Sequence, residues 1–456
     1  MEFVSVNPAT AKRIRTYRPF TAAQLERALR RADRAFQSWR TTPVSARLRP
    51  LKKLSAVLHR HADRLAALAC AEMGKPIGQA KAEVEKSRSL CAYYAKHAES
   101  FLAEVHVPDA PRNARVSAEP LGVILAIMPW NFPFWQVLRA ALPALTAGNT
   151  VVLKHSPNVS GCALAIEALL AEAGFPAGCY QTLLLPNART PAVIEDPRIQ
   201  GVTLTGSTRA GRIVGAQAGH AMKKAVFELG GSDAYLVLED ADLDHAAEIC
   251  ATSRLLNSGQ SCVCAKRFIV VNSVRAAFEV KLVEHMQRRV VGDPTLPTTD
   301  IGPIAREDLR AELHRQVEAS VRAGARVLLG GQPLPGPGFF YPPTVLTGVK
   351  AGMPAYHEEL FGPVAAVIGV PNAAAAIRVA NSSIYGLGSA IFSRNLAKAR
   401  RLARQIDAGQ VFINDNVRSD PSLPFGGVKM SGHGRELGSF GLREFVNIKT
   451  ICVTTR

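Results

Sequence analysis

The residues Gly122-Val123-Ile124-Leu125-Ala126-Ile127-Met128 form an unbroken apolar run. A helical stretch from Trp135 to Ala147 follows, and then a second apolar run from Thr150 to Lys154. Strands apolar on both faces must be covered on both, as in a parallel sheet wrapped by crossover helices. The alternation continues with a helix over Gly161 to Ala173 and strands over Tyr180 to Leu185 and Gly201 to Thr205. The stretch from Leu121 to Leu229 therefore reads as an α/β domain of nucleotide-binding type.

A second α/β unit follows. Ala234 to Val237, Arg267 to Val271, Arg326 to Leu329, Ala365 to Gly369, Ser389 to Phe392 and Gln410 to Ile413 read as strands. Helices such as Asp242 to Leu256 and Val274 to Arg289 lie between them. Upstream, Thr21 caps a helix bearing Leu25, Leu29, Ala32 and Phe36 at helical spacing. One continuous helix is predicted from Ser45 to Met73, stopped by Gly74 and Pro76, and another from Ile77 to Leu102. Glu104 to Asp109 and Ala114 to Glu119, joined by Ala110-Pro111-Arg112-Asn113, predict a hairpin. Glu444 to Thr454 reads as a β-rich tail.

The 456 residues suggest roughly three domains at about 150 residues each. With 47% hydrophobic and 20% charged residues, the chain is neither disordered nor fibrous. Lys and Arg number 55 against 37 Asp and Glu, a formal charge of +18 that favours anionic ligands. The basic residues are dispersed and lack aromatic interleaving, so nucleic acid is not an expected partner. No apolar run is long enough to span a bilayer, and Met1 to Thr10 has no signal-peptide pattern, so a cytoplasmic protein is expected. The eight cysteines do not form a disulfide framework.

The sharpest local feature is Asn257-Ser258-Gly259-Gln260-Ser261-Cys262-Val263-Cys264, between a helix and a strand. A loop there presents a thiol for catalysis; the commoner fate of a free cysteine is burial as a small hydrophobe. Other motifs converge on the catalytic reading. They are Pro129-Trp130-Asn131-Phe132-Pro133, Leu153-Lys154, Thr205-Gly206-Ser207, Glu228-Leu229-Gly230-Gly231, Gly259-Gln260-Ser261-Cys262, Glu358-Glu359-Leu360-Phe361-Gly362-Pro363 and Pro424-Phe425-Gly426-Gly427. In order and spacing this series resembles the aldehyde dehydrogenase superfamily over essentially the whole chain. Ala126 to Pro133, Lys154-His155 and the compact length resemble most the short bacterial and cyanobacterial succinate-semialdehyde dehydrogenases.

The resemblance implies a Rossmann-type cofactor domain formed by 1–97 and 120–228, and an α/β catalytic domain over 229–430. It also implies a small β oligomerisation element from 98–119 and 431–456, and a homodimer or homotetramer. Cys262 would be the nucleophile. A free thiol has a pKa of about 8.5, so it needs activation to react fast near neutrality. The Asn131 side-chain amide, with the Cys262 backbone N–H, would hold the oxyanion. Glu228 would activate the water that hydrolyses the thioester, the alternative being an ordinary acid at a helix end. No metal is expected.

The first cofactor strand lacks the usual glycine fingerprint. Gly206 and Ser207 instead open a helix whose N-terminus suits a pyrophosphate. The family places Trp130, Lys154, Glu359 and Phe361 on the cofactor, with Lys154 and Glu359 on ribose hydroxyls. NAD-preferring relatives often carry a carboxylate three positions after the lysine; here Pro157 stands there. Nothing at Pro157 repels a 2′-phosphate, and Lys154, Ser156 and a suitably turned His155 would attract one. NADP is expected to be preferred, with NAD usable. For a small acidic aldehyde, Arg139 and Ser419 would hold the carboxylate. Leu256 stands where many such enzymes carry a second arginine, which leaves glutarate semialdehyde or uncharged aldehydes as alternatives. Cys264, two residues from Cys262, is a candidate redox partner. An acylating relative commonly lacks the Glu228 base, and a non-enzymatic lens-type protein would not need Asn131, Glu228 and Cys262 together.

Overall fold

The computed structural model describes residues 2–108 and 113–454. Its first large sheet has six strands, in the order Gly432–His433, Lys224–Glu228, Ile199–Thr205, Val123–Met128, Thr150–His155 and Tyr180–Thr182. All are parallel except Gly432–His433, which runs antiparallel to Lys224–Glu228. Val123–Met128 and Thr150–His155 are buried along their whole length, as continuous apolar runs require. Between them lies the helix Trp135–Ala147, ended by Gly148 at φ +102°.

The second sheet has seven strands, in the order Arg326–Leu329, Thr344–Thr347, Val364–Val370, Ala265–Val271, Asp233–Val237, Gly388–Phe392 and Gln410–Ile413. Only Arg326–Leu329 is antiparallel to its neighbour. The chain is thus α/β, with the two parallel sheets that the apolar runs predict. Thr21 forms a full capping box with Gln24 on the helix Ala22–Trp39. Helix Ile77–Leu102 follows the predicted bounds.

Three features differ from the sequence expectation. The predicted helix from Ser45 to Met73 is two helices, Val44–Arg60 and Ala62–Met73, with His61 at φ −100°, ψ 9° between them. Leu65, Ala66 and Ala69 of the second helix are fully buried, and Leu68 packs partly buried against the same core. Second, Phe3–Val6 and Arg13–Tyr17 form an antiparallel hairpin before the first helix. Its strands are short, and the second carries exposed Arg13 and Arg15, so no extended apolar run marks it. Third, Lys224–Glu228, for which no strand was predicted, pairs with Ile199–Thr205, so Glu228 ends a strand.

A small sheet joins Val446–Ile451, Arg115–Pro120 and Val105–His106 in that order, all antiparallel. The pairing supports the predicted hairpin; its turn at 109–112 lies outside the described residues. Val446–Ile451 is an edge strand, with Ile448 and Ile451 exposed.

Candidate active site

The carboxyl ends of the first sheet's parallel strands converge on one region, the usual ligand edge of a wound sheet. Met128 leads into Trp130 and Asn131, His155 into Ser156, and Thr205 into Gly206, while Glu228 is itself the last strand residue. The second sheet supplies the loop before Ala265–Val271, which carries Cys262.

That loop is held in an unusual backbone shape. Asn257, Ser258 and Gly259 have φ of 54°, 56° and 75° in succession. Two residues with side chains in this left-handed region store strain that the surroundings must hold. The Asn257 side-chain amide donates to the carbonyls of Asn131 (2.8 Å) and Gln260 (3.1 Å). Ser258 Oγ donates to the Gly302 carbonyl at 3.0 Å. A Cβ on Gly259 would lie 2.2 Å from the Gly362 backbone, so only glycine fits.

Cys262 is partly exposed and lies where two cavities meet. One, of about 230 Å³, is lined by Trp130, Asn131, Gly206, Ser207, Glu359 and Phe361. The other, a tunnel of about 190 Å³, is lined by Trp135, Arg139, Leu256, Ser419, Phe425 and Lys86. A third cavity of about 370 Å³ extends the first past Trp130 to Lys154, Ser156 and Pro157.

The Asn131 side-chain nitrogen donates to the Gln260 carbonyl at 3.0 Å. An amide nitrogen has two hydrogens, so one donor remains. Among the described residues the Cys262 backbone N–H has no acceptor. Both expected oxyanion donors therefore sit at the nucleophile with capacity to donate. Burial pushes the Cys262 thiol up to about 12, against the opposing pull of Arg139 and Lys266.

Glu228 is fully buried, and among the described residues neither of its oxygens has a hydrogen-bond partner. Burial first, and then the nearby Glu436, raise it well above the usual carboxylate range. A Cβ on Gly426 would come within 2.8 Å of Glu228 Oε1, so the glycine leaves room for the carboxyl group. Glu228 forms no part of the wall of either cavity at Cys262.

On the cofactor side, Glu359 Oε1 accepts from the Gly231 N–H (3.0 Å) and lies 3.1 Å from Lys266 Nζ. The Phe361 ring meets Trp130 edge to face, with centroids 5.8 Å apart. Lys154 is buried, lines its cavity and has no acidic partner among the described residues; desolvation lowers it to about 8. Ser156 Oγ donates to Asn158 Oδ1 at 2.6 Å. Pro157 starts a 3₁₀ turn, Pro157–Val159, and Ser207 caps the helix Thr208–His220 by accepting from the Ala210 N–H. His155 does not turn to the cavity. Its ring is buried, accepts from the Ser156 N–H (2.9 Å) and lies 3.0 Å from the Pro133 carbonyl, and burial holds it down at about 4.

Arg139 lies at the tunnel wall and is not a surface residue, being 2% exposed. Its guanidinium pairs with buried Glu436 and stacks over the Phe425 ring at 4.6 Å. Ser419 is buried, and its Oγ accepts from Lys86 Nζ at 2.7 Å. Both cysteines near the site are free thiols. Cys264 Sγ is turned to the Leu256 carbonyl at 3.6 Å, while Cys262 faces the cavities.

Three participants escaped the sequence reading. Lys266 donates to the carbonyls of Ser261 (3.0 Å) and Cys262 (2.8 Å) and contacts Glu359. Its only sequence signal is its place at the start of the strand after Cys262. Glu436 comes from the far end of the chain, and Lys86 from a helix that carried no chemical motif. Among the described residues no cluster of side chains suits a metal ion, and no helix is long and apolar enough to cross a membrane.

Residues 1–451 match the model of the aldehyde dehydrogenase family. The chain is 46% identical over 456 residues to "Succinate-semialdehyde dehydrogenase [NADP(+)] 1" of Mycobacterium tuberculosis, covering 99% of this chain and 100% of that protein. It is 46% identical over 448 residues to "Succinate semialdehyde dehydrogenase [NAD(P)+] Sad" of Escherichia coli, covering 98% and 97%. The solved structure of succinic semialdehyde dehydrogenase from Streptococcus pyogenes in complex with NADP+ superposes with a TM-score of 0.97 at 36% identity, covering 99% and 100%.

Proposed function

The chain belongs to the aldehyde dehydrogenase family, and we propose that it oxidises succinate semialdehyde to succinate, with NADP preferred and NAD usable. One observation carries this reading. The Cys262 thiol stands between a cleft rich in dinucleotide-type donors and a tunnel whose walls carry cations.

The cleft fits a dinucleotide. Lys154, buried and without an acidic partner among the described residues, faces it, and so does a capped helix N-terminus suited to a pyrophosphate. Lys154 and Ser156 would hold the adenosine ribose, where Pro157 brings no negative charge against a 2′-phosphate. Glu359 would hold the nicotinamide ribose, with Phe361 and Trp130 packing beside it. The chemistry a nicotinamide supplies when bound is acceptance of hydride.

Cys262, once ionised, attacks the aldehyde carbon. The Asn131 amide and the Cys262 N–H hold the oxygen that gains charge, as a thiohemiacetal forms. Lys266 fixes the nucleophile loop through two carbonyls. After oxidation the carbon is a thioester on Cys262, and Glu228 takes a proton from the water that cleaves it. To do so, Glu228 must lose its own proton and turn towards the thioester. Arg139 and Ser419 line the end of the tunnel where the substrate carboxylate belongs. Leu256, in place of a second arginine, favours glutarate semialdehyde as a second substrate. The edge strand Val446–Ile451 supports assembly into a homo-oligomer, since pairing with another copy covers it.

The test is initial rates with succinate semialdehyde, glutarate semialdehyde and hexanal, each with NADP and NAD, and with Cys262→Ala as the blank. A strong preference for succinate semialdehyde with NADP is expected. Equal or better turnover of hexanal would overturn the substrate.

A further inference from the structure

The cation expected to meet the substrate carboxylate already has an acidic partner. Arg139 pairs with Glu436, a contact buried on both sides, and stacks on Phe425. Its Nη2 also lies 3.4 Å from Thr205 Oγ1. Arg418, also in the tunnel wall, pairs with Asp415 at 2.6 Å. The remaining tunnel cation is Lys86, on the helix Ile77–Leu102.

Lys86 has no carboxylate in ion-pair contact among the described residues. Its Nζ donates to Ser419 Oγ at 2.7 Å and lies 4.5 Å from the centroid of the Trp135 ring. Glu83, one helical turn earlier, is unavailable to it. One Glu83 oxygen pairs with Lys75, and the other accepts from the N–H groups of Phe134 and Trp135. A cation held by one hydroxyl and one aromatic face, in a cavity that also contains a nucleophile, has room for a carboxylate in direct contact.

We propose that Lys86, with the Ser419 hydroxyl, is the group that binds the terminal carboxylate of the aldehyde acid. This rests on the reading of Cys262 as the residue that attacks the aldehyde. Arg139 then stands beside Lys86 in the same wall, with part of its charge offset by Glu436. Lys86 takes the place of the arginine missing at Leu256, from a different element and as a point charge rather than a planar fork.

The environment of Lys86 is consistent with this role. Desolvation first, and then the Arg139 charge, lower it to about 8. The charged groups around it are Arg139 from the helix Trp135–Ala147, Arg418 and Asp420 from the loop after Gln410–Ile413, and Glu83 from its own helix. A bound carboxylate supplies negative charge in direct contact, so binding favours the ammonium form. Selectivity for an acidic aldehyde should then weaken as pH rises through about 8.

The test compares kcat/KM for succinate semialdehyde and for butanal in the intact enzyme. In Lys86→Met the ratio of the two should fall about ten- to hundredfold, the range of a charge-assisted hydrogen bond. Lys86→Arg should keep most of the ratio and move its decline to higher pH, which a purely structural lysine would not do. If Lys86→Met does not fold, the wild-type and Lys86→Arg pH profiles still decide. An unchanged ratio in Lys86→Met, or the same pH profile in wild type and Lys86→Arg, would overturn the role of Lys86. If the wild type itself shows no preference for the acidic aldehyde, the failure lies with the substrate reading.

Discussion

The side-chain amide of Asn131 donates to the carbonyl of Gln260 at 3.0 Å, two residues before the Cys262 nucleophile. In return, Asn257 of the same loop donates to the Asn131 carbonyl at 2.8 Å. The expected oxyanion donor and the nucleophile loop therefore hold each other in place. Asn131→Ala should lower kcat about a hundredfold or more, the typical cost of losing one oxyanion donor. Asn131→Asp should be no better, because a carboxylate cannot donate. Steady-state rates, with thermal unfolding to confirm the fold, check this.

The Cys262 thiol, pushed up to about 12 by burial, should be almost wholly protonated in the free enzyme near neutrality. Its thiolate fraction then rises tenfold per pH unit. Inactivation by iodoacetamide should follow, with a logarithmic slope near one between pH 7 and 9 and no plateau, as only the thiolate reacts. A plateau below pH 8 would mean that the free enzyme already ionises this thiol.

Glu228→Gln should block the second half of the reaction more than the first. A rapid burst of reduced nicotinamide is expected, followed by turnover slowed about 10²- to 10⁴-fold, the usual contribution of a general base. Mass spectrometry should find the acyl group on Cys262. Because burial raises Glu228, wild-type deacylation should speed up as pH rises and the carboxylate forms. That rise should vanish in the variant. Loss of the burst together with turnover would place Glu228 in the first step.

Gly259→Ala tests the loop itself. The left-handed backbone at φ +75° costs an alanine about 1–2 kcal/mol. The Gly362 backbone, 2.2 Å from the added Cβ, adds to that. Both a lower denaturation midpoint and loss of activity are expected, since the loop must shift and carry Cys262 with it.

Oxidation tests the Cys262 and Cys264 pair. We propose that peroxide joins them and dithiothreitol restores activity, with Cys264→Ser removing the reversible part. Cys264 must first leave its contact with the Leu256 carbonyl, so oxidation should be slow relative to alkylation of Cys262.

The apolar runs Val123–Met128 and Thr150–His155 were legible because a strand buried on both faces has no polar positions to disguise it. The hairpin of Phe3–Val6 and Arg13–Tyr17 was not, because its strands are four and five residues long and bury only Phe3, Ser5 and Tyr17. The break at His61 was hidden for another reason, since the leucine spacing on either side also suits a straight helix. Local sequence therefore determined the α/β class, because that depends on short-range pattern. Cys262, Asn131 and Glu228 were singled out only by the resemblance of the whole ordered motif series to a known family. Tertiary structure decided which charges remain available. Glu436 reaches Arg139 from nearly three hundred positions further along the chain, and Lys86 reaches Ser419 from an equally distant helix. A charge is free or neutralised only by what packs against it in three dimensions, and no local spacing records that.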